Sequence, residues 1–435
     1  MIRRRTATLG LCGLLAACSS GEHDIITGVQ VPVLPDQTGM DVSANAPAVT
    51  LPAAKALENW PQPLANPAHA PGNVAGPLGF KPGWKSSIGA GGGYRQPLAA
   101  SPVVAAGHVF TMDANAHVRA FSLADGSELW HTQTRPEGVT TQNLGGGIAY
   151  DSGKIYVSTG FAQALALDAA TGKILWRQTM DFPARSAPLV ANGLVAIIIQ
   201  NDLLLTFNAQ SGAPGWRFSG SVGIPPMTAV SVIGAPAYAD GILVAGFSAG
   251  LLAAIDASSG TPIWEQSLAA GFGQASTLDL SDVVASPVIA GGVVYALNLD
   301  GTFMAVDLHS GAKVWTHGAT GTQPPAASGG FLFLLDSKAM FYAVHADDGL
   351  VSWVASLPAY KNEKKKKHPI VWSGPTLVNG TLVVVNDIGG AVLVDAQSGK
   401  VKQTLKFDAP ADVPPLAVNG MLLQLTRDGY LTSYV

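Results

Sequence analysis

Short apolar runs bounded by glycine turns recur along most of the chain, among them "KIYVST" at 154–159, "GILVAG" at 241–246 and "GVVYAL" at 292–297. Runs of this length, alternating or wholly apolar, predict short buried β-strands. A second kind of segment follows them: "LALDAATGKILW" at 165–176, "AAIDASSGTPIW" at 253–264 and "MAVDLHSGAKVW" at 304–315. Each reads as a strand end, a tight turn and the start of an outer strand. Several copies at long spacing predict a repeat architecture.

The register is strict. Trp130, Trp176, Trp216, Trp264, Trp315 and Trp353 each follow a glycine by four residues (Gly126, Gly172, Gly212, Gly260, Gly311, Gly349). Each also follows a second glycine by 23 residues (Gly107, Gly153, Gly193, Gly241, Gly292, Gly330). At 28 residues before the tryptophan stand Pro102, Pro188, Pro236, Pro287 and Pro325, with Ile148 the exception. Proline suits the head of a strand, where no ladder donor is needed, and the glycines suit turns that need a positive φ. Asp168, Asp256, Asp307 and Asp395 are placed to cap the second turn, Asn208 can substitute, and Ser122 and His345 are weaker versions. Read alone, any of these aspartates resembles a catalytic carboxylate; their place in the repeat makes them turn caps.

A seventh copy keeps Pro375, Gly380 and Gly399 but has Gln403 in the tryptophan position. An eighth begins with Pro415 and Gly420 and stops at Val435, short of its outer strand, while "GWKSSIG" with Trp84 precedes the first full unit. A four-stranded unit cannot bury both faces alone, so neighbours must stack, with tryptophan covering the adjacent unit. The prediction is an all-β, eight-bladed β-propeller over 79–435, closed by the Trp84 strand completing the last blade.

Composition agrees: of 435 residues 48% are hydrophobic, 12% charged, 50 are Gly and 29 Pro. A net charge of -4 offers no broad basic field, which argues against nucleic acid as a partner. Arg3, Arg4 and Arg5 precede the apolar stretch from Ala7 to Ala17, the pattern of a secretory signal over 1–17. It ends in "LLAAC", which resembles the lipobox of bacterial lipoproteins. That resemblance implies cleavage before Cys18 and lipid on its sulfur, an anchor of several acyl chains. Ser19, in place of Asp, implies the outer membrane. With Cys12 removed, the mature chain would hold one cysteine, spent on lipid, and no disulfide. Residues 18–78, rich in Pro and Ala, read as an extended tether, although Trp60 and His69 are expected to pack on the domain that follows.

The tryptophan-docked units, typified by "GKIYVSTGFAQALALDAATGKILW", resemble the pyrroloquinoline-quinone-like propellers. Within them, "LDLSDVVASPVIAGGVVYALNLDGTFMAVDLHSGAKVW" at 278–315, "GAPAYADGILV" at 234–244 and the closing "DGYLTSYV" are similar to the BamB-type outer-membrane assembly lipoproteins. The resemblance implies a non-catalytic scaffold without cofactor, a monomer within a hetero-complex. It would dock on a periplasmic domain of the central barrel-assembly protein. It also implies contacts on two inter-blade loops, "MTAVSVIGAP" and "TLDLSDVVASP". Asp282 matches an acidic contact and Val230 stands for an apolar one. Ser231 replaces an expected arginine and Val284 a second aspartate. Asp279 and Asp282 can equally be read as ordinary solvated loop residues; on either reading Asp282→Ala is expected to leave the fold intact. Variable loops on a constant scaffold are where function usually sits. One of them carries "KNEKKKKHP", a solvated loop or a contact for anionic headgroups or an acidic partner.

Two rival readings have less support. A quinoprotein dehydrogenase would share the repeat, but the chain has no adjacent cysteine pair, no HExxH, no CxxC and no nucleophile–base constellation. The nine histidines show no i, i+4 pair, and "GAGGGYRQ" at 89–96 lacks the lysine of a phosphate-binding loop. A propeller binding another envelope protein or a cell-wall component is the other alternative.

Overall fold

The computed structural model describes residues 40–435, apart from 94, 95, 97, 99, 221–232, 270–281 and 408. Eight four-stranded antiparallel sheets follow one another along the chain. Blades 1 to 7 span 103–133, 146–179, 189–219, 237–267, 288–318, 326–356 and 372–406. The eighth takes three strands from 416–434 and its fourth from Pro82–Ser87, which pairs antiparallel with Tyr430–Tyr434. Closure by the Trp84 strand is therefore as the repeat count requires, and all eight blades have four strands.

The first strands of successive blades touch one another and are innermost. The two middle strands are almost wholly buried, Leu194–Ile199 and Leu203–Asn208 for example. Outer strands alternate, as in Glu128–Gln133. This gradient explains the sequence pattern: middle strands lie between two neighbouring blades, so both faces must be apolar, while outer strands face solvent.

Each outer-strand tryptophan reaches into the turn of the next blade. Trp130 Nε1 donates to Ala169 O (3.0 Å), Trp176 Nε1 to Ala209 O (3.1 Å) and Trp264 Nε1 to Leu308 O (2.8 Å). Trp84 does the same with Leu123 O (3.0 Å) across the closure. The turn is held by its cap: the Thr171 N–H donates to Asp168 Oδ1 (2.9 Å), and the Thr171 hydroxyl adds a second bond (2.7 Å). These bonds hold the Asp168 carboxyl below the usual range. Asp256, Asp307, Asp395 and Asn208 cap their turns alike. In blade 1 Asp125 bonds the Ser127 N–H instead of Ser122 serving as cap.

The absence of tryptophan at Gln403 has a structural reason. The partner of a blade 7 tryptophan would be the turn before the outer strand of blade 8, and that turn does not exist because the outer strand comes from the other end of the chain. Phe80, Phe407 and Tyr434 close this seam instead, with ring centroids 5.4 to 6.0 Å apart.

The repeat glycines are not equivalent. Gly153 and Gly172 both have positive φ, but a Cβ on Gly153 would meet nothing within 4 Å, whereas on Gly172 it would lie 2.5 Å from the Trp130 ring. Gly153→Ala should therefore cost about 1 kcal/mol from the left-handed backbone alone. Gly172→Ala should cost about 2 kcal/mol, because the indole must also move. Urea unfolding of the two variants checks the difference; equal losses would mean that the ring contact contributes nothing.

The tether reading fails from residue 40 onward. Residues 40–80 form a strap that visits the blades in turn. Ser43 N–H donates to Val351 O (2.9 Å) in blade 6, and Asn419 N–H to Leu57 O (2.7 Å) in blade 8. Trp60 and Val104 exchange two backbone bonds (2.7 and 2.8 Å) in blade 1. Tyr150, Tyr238 and Ile289 donate their N–H groups to Pro61, Pro67 and Ala68 in blades 2, 4 and 5. The Gln62 amide bonds Val190 both ways, in blade 3. Val74 N–H donates to Leu377 O (3.1 Å) in blade 7. On blades 1 to 5 the partners belong to the innermost strands, whose channel-side edge has no other strand to pair with; the strap satisfies those groups. Trp60 and His69 are buried in it, as their cost as linker residues suggests.

Candidate interaction face

In blades 1 to 7 the turns joining first to second and third to fourth strands lie on one face, and the connectors to the next blade lie on the other. Two connectors, 221–232 and 270–281, fall outside the described residues, and with them Val230, Ser231 and Asp279; Cys18 does too. The roots of both connectors are described and are joined. Gly234 N–H donates to Val284 O (2.6 Å), Ile233 N–H to Arg185 O (3.2 Å) and Val283 N–H to Phe247 O (3.1 Å).

Beneath these roots lies a buried ionic cluster. The Arg185 side chain is fully buried; its Nη1 is 2.7 Å from Asp202 Oδ1 and 3.1 Å from Ser248 Oγ, and its Nη2 is 3.3 Å from Asp282 Oδ2. The Ser248 N–H also donates to Asp202 Oδ1 (3.3 Å). Arg185 comes from the connector into blade 3, Asp202 from blade 3, Ser248 from blade 4 and Asp282 from the connector into blade 5. One guanidinium thus ties three consecutive blades. Burial pushes the Asp202 carboxyl up, and the charge of Arg185 opposes that push.

Asp282 is therefore not a solvated loop residue. It is 4% exposed and its Oδ2 lies 3.3 Å from Arg185 Nη2, so Asp282→Ala is now expected to destabilise the fold. Nothing in the repeat marks Arg185 as its partner, 97 residues away. The only signal is a lone arginine in "PARSAP", just before Pro188.

Val284 lines the mouth of the central channel, a cavity of about 310 Å³ shared with Pro63, Leu64, Ile233, Gln323 and Asp412. The strap residues Pro63 and Leu64 line it with them. Among the described residues no group of three or more His, Cys, Asp or Glu side chains could hold a metal ion. No helix among them is long and apolar enough to cross a membrane.

The family model for the outer membrane protein assembly factor BamB matches residues 114–355, more than half of the chain. The chain belongs to the BamB family. The BamB of Vibrio cholerae is 30% identical over 350 residues, covering 80% of this chain and 86% of the relative. That of Yersinia pestis is 27% identical over 359 residues, covering 81% and 88%. The crystal structure of BamB from Moraxella catarrhalis shares the fold with a TM-score of 0.69 at 16% identity, covering 81% of this chain and 99% of that one. Quinohemoprotein alcohol dehydrogenase from Comamonas testosteroni shares it equally, TM-score 0.69 at 13% identity, covering 88% and 81%. Fold alone therefore does not separate BamB from the quinoproteins. Among the described residues no Lys, Arg or His lines the cavity at the channel mouth, and its Asp412 is paired with Arg427 Nε at 2.7 Å.

Proposed function

We propose that this protein is an outer-membrane protein assembly factor, acting as a non-catalytic scaffold anchored by lipid on Cys18 at the periplasmic face. The reading rests chiefly on the match to BamB relatives along four-fifths of the chain. The central barrel-assembly protein is the partner, and the docking surface is the pair of connectors between blades 3 and 4 and between blades 4 and 5. Val230, Ser231, Asp279 and Val284 supply contacts. Asp282 is a positioning residue, which holds the root of the second connector on Arg185. A binding surface needs rigid supports for its loops, and a buried, hydrogen-bonded ion set shared by three blades supplies one. A scaffold of this kind needs no reacting group, only fixed loop roots and a tether.

The test is affinity purification of the tagged, lipidated protein from detergent-solubilised membranes of its host. The expected result is co-purification of the central barrel-assembly protein, reduced by Ser231→Glu or Asp279→Lys without a change in melting temperature. Its absence under conditions that preserve the assembly complex would refute the proposal.

A further inference from the structure

Between blades 6 and 7 the basic run is not a disordered loop. Tyr360–Asn362 and Lys367–Pro369 pair as a hairpin around a single 3₁₀ turn at Glu363–Lys365. Asn362 Oδ1 accepts the Lys365 N–H (3.1 Å) and Glu363 Oε1 accepts the Tyr360 N–H (3.0 Å). Its base is pinned to the propeller: Trp372 Nε1 donates to Pro358 O (2.9 Å), Ile370 N–H to Ala359 O (2.9 Å) and Val371 N–H to Asp387 Oδ1 (2.9 Å). The fold thus holds a ridge of Lys361, Lys364, Lys365, Lys366 and Lys367 out in solvent. Among the described residues none of the five forms an ion pair, and the one acid of the hairpin, Glu363, is used in its turn. Five like charges held close together repel one another, which disfavours the ridge unless a counter-charge meets it.

Beside the ridge runs a groove of about 700 Å³, bounded by Tyr360 and Lys361 on the hairpin and by Ile388, Val401 and Lys406 on blade 7. Ile388 is 45% and Val401 52% exposed, and Val371 at the hairpin base is 57% exposed. The outer strand of blade 7, Val401–Lys406, which has Gln403 in the tryptophan position, is exposed almost throughout.

We propose that the hairpin and this groove form a docking site for an acidic protein segment, with its apolar side chains between Tyr360, Ile388 and Val401 and its carboxylates on the lysine ridge. Shape selects this occupant over a membrane. A membrane-inserting hairpin would carry its apolar residues at the tip, but here the tip at 364–367 is entirely lysine and the apolar residues lie recessed at the base. A concave apolar strip bordered by cations fits an extended chain with apolar and acidic residues. The site lies on blades 6 and 7, apart from the connectors of blades 3 to 5, so it is independent of the docking proposed above.

The experiment is selection of a random-peptide phage library on the full-length, lipidated protein in detergent. Two variants are screened in parallel, Lys361→Glu/Lys364→Glu/Lys365→Glu and Ile388→Asp. The expected result is enrichment of peptides combining Asp or Glu with apolar residues, each bound about ten-fold or more weakly by either variant and more weakly at high salt. All changed residues are exposed, so melting temperatures should not change. No acidic enrichment, or acidic peptides that bind the variants equally well, would overturn the proposal. Loss of binding to phosphatidylglycerol vesicles in the lysine variant, with no peptide selected, would reassign the ridge to the membrane.

Discussion

Arg185→Ala is expected to lower the unfolding free energy by about 3–5 kcal/mol, the range for removing one partner of a buried ion set. The arginine is fully buried and the two carboxylates it joins, Asp202 and Asp282, are almost so. Without it, two acids remain in the interior with no guanidinium between them, beside the hydroxyl and N–H of Ser248. Asp202, whose carboxyl burial already pushes up, then loses the charge that opposes the push. A carboxyl with a raised pKa in the folded state favours folding at low pH and loses that contribution as pH rises through the folded value. The loss caused by Arg185→Ala should therefore be greater at pH about 7.5 than at pH about 5. Asp282→Ala should cost less, about 1–3 kcal/mol, because Arg185 keeps Asp202. Urea unfolding followed by tryptophan fluorescence measures all three quantities. A loss below about 1 kcal/mol for Arg185→Ala, independent of pH, would mean that water enters the cluster and that it fixes no loop root.

The contrast between cluster and repeat shows which physics a sequence exposes. The Pro, Gly and Trp register is legible because each position answers a local demand that recurs from blade to blade: a strand head without a donor, a turn with positive φ, a ring for the neighbouring blade. Its failure at Gln403 also carries information, since the turn a tryptophan there would dock on is missing where the termini exchange a strand. Arg185 and Asp282 answer a demand made once, between residues far apart, and a buried acid is spelled like a solvated one. The strap was misread for a related reason. Most of its bonds run through its backbone, so side-chain periodicity is absent, and "PQPLANPAHAP" looks like spacer. Only the buried side chains left a trace, in Trp60 and His69. The lysine run had the opposite ambiguity: its charge was plain, but the turn bonds that hold it as a ridge were not.

Acidification should loosen the strap through His69. This residue lies fully buried, with Nδ1 2.8 Å from Pro287 O, and a carbonyl accepts only, so Nδ1 carries the proton of the neutral ring. Its Nε2 is buried and has no hydrogen-bond partner among the described residues. Burial pushes the imidazole from 6.5 down to about 4, against the Pro287 carbonyl, which favours the charged form. Between these values the unfolded chain binds a proton that the folded one does not. The contribution of His69 to stability is therefore complete above pH 6.5 and is lost as pH falls through about 4, a swing of about 3 kcal/mol. His69→Asn removes the titration while keeping a donor for Pro287, and asparagine tolerates the φ of 60° found here. Chemical unfolding of both proteins at pH about 7.5, 5.5 and 4 isolates the effect, because every other titrating group is common to the two. The wild-type protein should lose about 3 kcal/mol more than the variant across that range. Parallel curves would mean that His69 is hydrated in the folded protein, and that the strap at blade 5 is held by its backbone bonds alone.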